Sequence, residues 1–184
     1  MQNDRYICDG DLLRRIKCDD SKALRILFER YFAALCHFAS KFVKNSDLAE
    51  ESVSDVFLNV WLKRERIEIK TNLKTYLYVA VRNQSLNYLK KNKKYLENLE
   101  IADREEKISD LNADRFIQYE EFKEDIDSLL RQLPEKRQMV FRMNRLDGLS
   151  YKEIAEILSI SVNTVQNQMV EAVKFLSHRH PRHK

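Results

Sequence analysis

The sequence predicts an all-α protein of two small helical domains joined by an acidic linker. Three observations carry that expectation. Only Gly10, Gly148, Pro134 and Pro181 interrupt 184 residues, so the chain has almost no turn-forming breakers for a sheet. Leu, Lys, Glu, Arg and Ala, all good helix formers, are abundant throughout. Apolar residues recur at intervals of three and four rather than two. At this length the chain can hold one domain or two small ones, each with its own core.

Composition narrows the function classes. A net charge of +4 with pI about 8.9 is only mildly basic, so the placement of charge matters more than its sum. No apolar run approaches membrane-spanning length and the N-terminus has no signal-like apolar stretch, which predicts a cytoplasmic protein without membrane insertion. Cys8, Cys18 and Cys36 form no CxxC pair and no zinc spacing, and read as buried or idle thiols in a reducing compartment. No Gly-rich phosphate loop, nucleophile motif or metal constellation is found, so neither a cofactor, a metal nor an enzymatic activity is expected.

From Asp11 to about Lys44, Leu12, Leu13, Ile16 and then Leu24, Leu27, Phe28, Tyr31, Leu35 and Phe38 describe two amphipathic helices. They break near Asp19-Asp20-Ser21, where Asp20 or Ser21 supplies the next N-cap. A second cap cluster, Asn45-Ser46-Asp47, precedes a helix running to about Lys63. Its inner stripe is Leu48, Val53, Val56, Phe57, Val60 and Trp61. Its other face shows Glu50, Glu51, Asp55 and Asn59, which suits either solvent or a basic protein partner and not DNA.

The chemistry inverts between Thr71 and Lys94. Lys74, Arg82, Lys90, Lys91, Lys93 and Lys94 occur there without a single acid, interleaved with Tyr76, Tyr78 and Tyr88 and with the amides of Asn72, Asn83, Gln84 and Asn87. Leu73, Leu77, Ala80, Val81 and Leu89 are the expected buried stripe. Cations that follow phosphates, with rings that stack on unpaired bases, fit single-stranded or melted nucleic acid. Tyrosines at helical spacing fit a core equally well, so the acid-free basic run is the stronger signal.

Residues 95–121 lose periodicity and are rich in acid, the composition of a tether that stays off DNA. Periodicity resumes with Phe122, Ile126, Leu129, Leu130 and Leu133, and Pro134 opens a helix expected to bury Met139, Val140, Met143 and Leu146. That helix shows Lys136, Arg137, Arg142 and Arg145. The expected divisions are therefore 1–94, a linker at 95–121, and 122–184.

The stretch Leu149–Leu176 then reads as two helices around a tight turn. Ser150 and Glu153 have the spacing of a capping box, and Ile154, Ala155, Ile157 and Leu158 form one stripe. Ile160 is expected to be buried in the turn, with Ser161 as the following N-cap. Val165, Met169, Ala172 and Leu176 face inward, leaving Asn163, Gln166, Asn167, Val170 and Lys174 outward. This is either a helical hairpin of a bundle or a helix-turn-helix whose second helix enters a DNA major groove.

Four segments in order, LLRRIKCDDSKALRILFERYF, DLAEESVSDVFLNVWLK, LKTYLYVAVRNQSLNYLKK and LPEKRQMVFRMNRLDGLSYKEIAEILSISVNTV, resemble RNA polymerase sigma factors of the extracytoplasmic-function group. The wording LKTYLYVAVRN is similar to forms common in Bacteroidetes. The resemblance implies a first domain with sigma region 2 and a second with sigma region 4. It implies that the helix of Glu51, Ser54, Asp55 and Asn59 docks on the clamp helices of core RNA polymerase. It further implies that Arg64, Arg66, Asn72, Lys74, Tyr76, Arg82, Asn83, Asn87, Lys90 and Lys91 capture the melted −10 element of promoter DNA. Ser161, Asn163, Thr164, Gln166, Asn167, Val170 and Lys174 then read the −35 duplex, with Arg137, Arg142, Arg145 and Lys152 on phosphates. An anti-sigma factor is an implied partner, and the free protein is expected to be a monomer.

One departure bears on specificity. Many members carry Lys or Arg where this chain has Gln166 and Gln168. Amides pair well with adenine and guanidinium groups with guanine, which predicts an A·T-leaning −35 contact. The competing reading is a helix-turn-helix regulator that dimerises on palindromes without being a polymerase subunit; it leaves the basic, tyrosine-bearing segment without a task.

Overall fold

The computed structural model describes residues 7–69, 71–98 and 130–179, and the chain divides into two compact units, Met1–Ser109 and Asp110–Lys184. Every regular element among the described residues is an α-helix. The first unit holds α1 (Asp9–Lys17), α2 (Ser21–Val43), α3 (Ser46–Leu62) and α4 (Leu73–Asn98). The second holds α5 (Glu135–Arg145), α6 (Tyr151–Leu158) and α7 (Val162–Arg179).

Local chemistry places the breaks. Asp20 is the cap of α2, accepting from the amides of Lys22 at 3.0 Å and Ala23 at 3.2 Å. The Arg15 guanidinium donates to the same carboxylate at 2.8 Å and holds it below the usual carboxylate range, with the backbone donors adding to the effect. Asp19 and Lys44 take left-handed backbone conformations, φ 64° and 53°, which turn the chain out of α1 and α2. Asn45 caps α3 by accepting from Leu48 N at 2.9 Å, and Asn72 caps α4 by accepting from Thr75 N at 2.8 Å.

In the first unit α2 packs on α1, α3 and α4, and α3 packs on α4. Leu12, Ile16, Leu27, Leu35, Val53, Leu77 and Val81 are almost fully buried there. Phe28 meets Phe57 edge-on at 5.0 Å between ring centroids, and Phe38 meets Tyr78 at 5.0 Å. Asp9 staples α1 to α2, accepting from Arg30 at 2.6 Å and from the Tyr31 hydroxyl. In the second unit α7 packs on α5 and α6, and Leu130, Leu133 and Ala172 cluster with Phe141, Phe175 and Leu176.

Several expectations need correction. Leu89 is 37% exposed, because the inward stripe of α4 continues from Val81 through buried Ser85 toward Tyr88, and Leu89 is turned away from that line. Leu146 is 54% exposed, whereas the turn after α5 delivers Leu149 to the core with its amide donating to Met143 O at 2.9 Å. Ile160 is 37% exposed rather than buried: Ser159 adopts φ 55° and the Ile160 amide returns to Ala155 O at 3.0 Å, closing α6 with the side chain outside. Met139 is only half-buried, and Gln138 takes the buried place beside Val140 and Met143. The expected boundary at residue 94 falls within α4, and the linker and most of the helix before Pro134 lie outside the described residues.

Cys36 is buried on α2, and burial, with the Glu50 carboxylate adding, pushes its thiol up to about 12. Cys8 and Cys18 are exposed. Since only the thiolate reacts, alkylation of the folded protein at pH 8 is expected to modify Cys8 and Cys18 while sparing Cys36 until denaturant is added. Intact mass before and after unfolding checks this; rapid loss of all three thiols in the folded state contradicts the packing of α2.

Candidate nucleic-acid interface

The second unit builds its outward helix by local capping. Ser150 Oγ accepts from Glu153 N at 3.3 Å while the Glu153 carboxylate accepts from Ser150 N at 2.7 Å, a reciprocal box that starts α6. Ser161 Oγ accepts from Thr164 N at 3.0 Å and starts α7, and its hydroxyl also bonds that of Thr164 at 2.8 Å. Val165, Met169 and Ala172 are buried. Ser161, Asn163, Thr164, Gln166, Asn167, Val170 and Lys174 are exposed together on the other side. Val162 and Val173 are exposed as well, so this face mixes amides with methyl groups. Such a mixture matches adenine edges and thymine methyls better than guanine. Lys174 lies 3.5 Å from Glu171, which offsets its charge. Lys152 on α6 and Arg145 on α5 are exposed, while Arg137 and Arg142 are half-buried.

On the first unit the structure sorts the basic segment into separate tasks. Asn83, Asn87, Lys90 and Lys91 are exposed on α4, while Lys74, Tyr76 and Arg82 are half-buried. Gln84, Asn87, Tyr88, Lys90 and Lys91 line one open depression. Tyr78, expected among the interleaved rings, is fully buried against Phe38 and belongs to the core. Burial raises the Tyr76 phenol above its ordinary value, so it stays neutral. Asn72 is exposed but already serves as the α4 cap. Arg66 is exposed. Arg64 is engaged within the protein: its guanidinium sits 4.5 Å over the Trp61 ring, donates to Trp61 O at 2.8 Å and pairs with Asp19.

The acidic helix α3 is also divided. Glu51, Ser54 and Asn59 are exposed, and Asn59 Nδ2 donates back to Asp55 O at 2.8 Å. Asp55 is half-buried and faces α4, where it accepts from Gln84 Nε2 and from the Tyr88 hydroxyl, each at 2.8 Å. Burial raises the Tyr88 phenol, and its hydrogen bonds to Asp55 and Glu51 raise it further, so it remains a donor. Two residues that pattern reading passed over share this surface: Leu58 is 54% and Leu62 65% exposed. Their spacing from Glu51 and Ser54, rather than from Val53, Val56 and Val60, was the available signal.

Among the described residues no group of three or more His, Cys, Asp or Glu side chains is placed to hold a metal, and no helix is long and apolar enough to cross a membrane.

Comparison with known proteins adds to this geometry. The family model for Sigma-70 region 2 matches residues 27–95, and that for Sigma-70 region 4 matches residues 123–176. The ECF RNA polymerase sigma-E factor of Escherichia coli (strain K12) is 27% identical over 176 residues, covering 90% of this chain and 91% of that protein. The sigma-E factor of Haemophilus influenzae is 23% identical over 181 residues, covering 94% and 95%. Among solved structures, the sigma factor RpoE bound to the anti-sigma factor NepR from Bartonella quintana superposes with a TM-score of 0.59 at 20% identity, covering 89% of this chain and 99% of that one. CnrH in complex with the cytosolic domain of CnrY gives 0.57 at 19%, covering 93% and 96%. These two likenesses concern the fold.

Proposed function

The chain belongs to the extracytoplasmic-function group of the sigma-70 family, and from that premise we propose how its surfaces divide the work of promoter recognition. It directs promoter-specific transcription initiation by core RNA polymerase. The observation that carries this is the occurrence of both sigma regions, in order, on two separate helical units.

α3 docks on the clamp helices of the core enzyme through Glu51, Ser54, Leu58, Asn59 and Leu62, an exposed apolar pair with a polar rim. α4 follows the melted −10 strand with Lys74, Arg82, Asn83, Asn87, Lys90 and Lys91, exposed or half-buried on the part of the helix from Leu73 to Lys94, which carries no acid. Tyr76 and Arg66 border that path, whereas Arg64 and Asn72 act by shaping the loop that leads into it. α7 reads the −35 duplex with Asn163, Gln166, Asn167 and Val170, assisted by Ser161 and Thr164 at its N-terminus and by Lys174. Arg137, Arg142, Arg145 and Lys152 hold phosphates. The polymerase makes the RNA bonds, and this chain supplies no catalytic step. The work takes place in the cytoplasm with the polymerase. One of the structural relatives named above, RpoE, is captured with an anti-sigma factor, which supports an anti-sigma partner for this protein too.

Run-off transcription with purified core polymerase is the direct test: the protein is expected to start RNA chains at a defined promoter position. Failure to do so, with tight dimeric binding to duplex DNA alone, overturns the assignment. Within the same assay Gln166→Ala is expected to lose about tenfold at one or two A·T pairs of the −35 element, the size of a single amide–base pairing. Neutrality of Gln166→Ala at every −35 position contradicts the proposed readout.

A further inference from the structure

A contact across 45 residues ties the turn between α1 and α2 to the loop between α3 and α4. Asp19 closes α1 in a left-handed backbone conformation, φ 64°, which glycine adopts freely and an aspartate adopts at a cost. The turn holds it there: Asp19 N donates to Ile16 O at 3.1 Å, Asp20 N to Arg15 O at 3.0 Å, and Arg15 Nε to the Asp20 carboxylate at 2.8 Å. The Asp19 carboxylate accepts from Arg64 Nε. Arg64 Nη1 also donates to Trp61 O at 2.8 Å, and the guanidinium lies 4.5 Å from the centroid of the Trp61 ring. Further along the loop, Arg66 N donates to Lys63 O at 2.9 Å, Ile67 is buried, and Asn72 accepts from Thr75 N at 2.8 Å where α4 begins. The loop is therefore pinned at Arg64, Ile67 and Asn72, with Glu65, Arg66 and Glu68 exposed between those points.

Stability does not account for the Asp19–Arg64 pair. α1 is already held by buried Leu12 and Ile16, and by Asp9, which bonds Arg30 and Tyr31 on α2. Asp19 is exposed, and an ion pair with one partner in solvent adds little to folding. What the pair does fix is the course of the chain as it leaves α3 for α4. Asp19 also precedes residue 27, where the match to Sigma-70 region 2 begins. We infer that Asp19 is a positioning residue for promoter opening: by holding Arg64 on Trp61 it presets the α3–α4 loop, so that less ordering remains when the melted strand is taken up. Asp19 acts through Arg64 and touches neither DNA nor polymerase. The role rests on the sigma assignment and adds to it a residue outside the matched region.

The test uses the full-length protein, free and reconstituted with core polymerase. Trp61 is the chain's single tryptophan, so its fluorescence reports the contact directly. Asp19→Gly suits the backbone at φ 64° and removes only the carboxylate. It is expected to shift the Trp61 emission while keeping the wild-type melting temperature and core polymerase affinity. Open-complex formation on a duplex promoter should slow about fivefold, the upper end for a pair of this exposure. Asp19→Asn, which keeps an acceptor and tolerates the left-handed backbone, should restore both emission and rate. Asp19→Gly combined with Arg64→Gln should be no slower than Arg64→Gln alone. An unshifted emission, an unchanged rate, no rescue by Asp19→Asn, or losses that multiply in the double variant overturn the role. A lower core affinity or melting temperature in Asp19→Gly reassigns the pair to docking or folding and overturns it too. Faster opening overturns it by showing Arg64 to be a phosphate contact that Asp19 masks. Failure of the sigma reading is distinct, since there the wild-type protein starts no RNA chain at all.

Discussion

Replacing Leu58 and Leu62 together by glutamate is expected to reduce run-off transcription on the order of 100-fold while leaving the fold intact. Both side chains project from α3 into solvent, 54% and 65% exposed, one turn apart beside Glu51 and Ser54. Exposed apolar pairs rimmed by polar groups mark protein contacts, and central apolar anchors of an interface commonly cost about 2 kcal/mol or more each when lost. The folded monomer buries neither residue deeply, so its stability should change by no more than about 0.5 kcal/mol each. Core polymerase affinity by fluorescence anisotropy, alongside a denaturant melt, separates the two. A double variant that still binds core polymerase like wild type removes this face from the docking surface.

Tyr78→Ala is expected to act in the opposite manner, through folding rather than through contact. The ring is fully buried and packs 5.0 Å from the Phe38 ring, between α4 and α2. Large-to-small changes of buried aromatics cost about 3–5 kcal/mol, because the cavity left behind collapses only in part. Against a typical domain stability of about 5–15 kcal/mol, that loss leaves the first unit marginal. α4 would lose its seat, and transcription would fall with the fraction folded. Tyr78→Phe keeps the ring and should retain both stability within about 1.5 kcal/mol and promoter opening. If Tyr78→Ala melts like wild type but fails on melted DNA, the ring acts on the strand and its buried placement is wrong.

These two cases show where pattern reading succeeds and where it stops. Caps were legible because they are local: Asp20, Asn45, Ser150 and Ser161 bond amides two or three residues away, a relation that spacing alone exposes. The stripes Val53–Val56–Val60 and Val165–Met169–Ala172 were legible because burial on one side of a helix repeats every three or four residues. Leu146 and Ile160 were misplaced at helix ends, where the backbone leaves helical geometry and the periodicity no longer applies.

The sequence alone determined the all-α class, the order of the helices, the capping of the helix-turn-helix and the acid-free character of the stretch from Thr71 to Lys94. Those follow from interactions within a few residues, and from a periodicity that the chain carries whatever its surroundings. Tertiary structure decided which polar groups remain for partners. Tyr78 went to the core against Phe38, Arg64 to Trp61 and Asp19, and Asp55 to Gln84 and Tyr88, whereas Leu58 and Leu62 stayed outside. Helical spacing says which residues share a face, but what that face meets depends on segments 29 to 45 residues away in sequence, as the Asp55–Gln84 and Asp19–Arg64 pairs show.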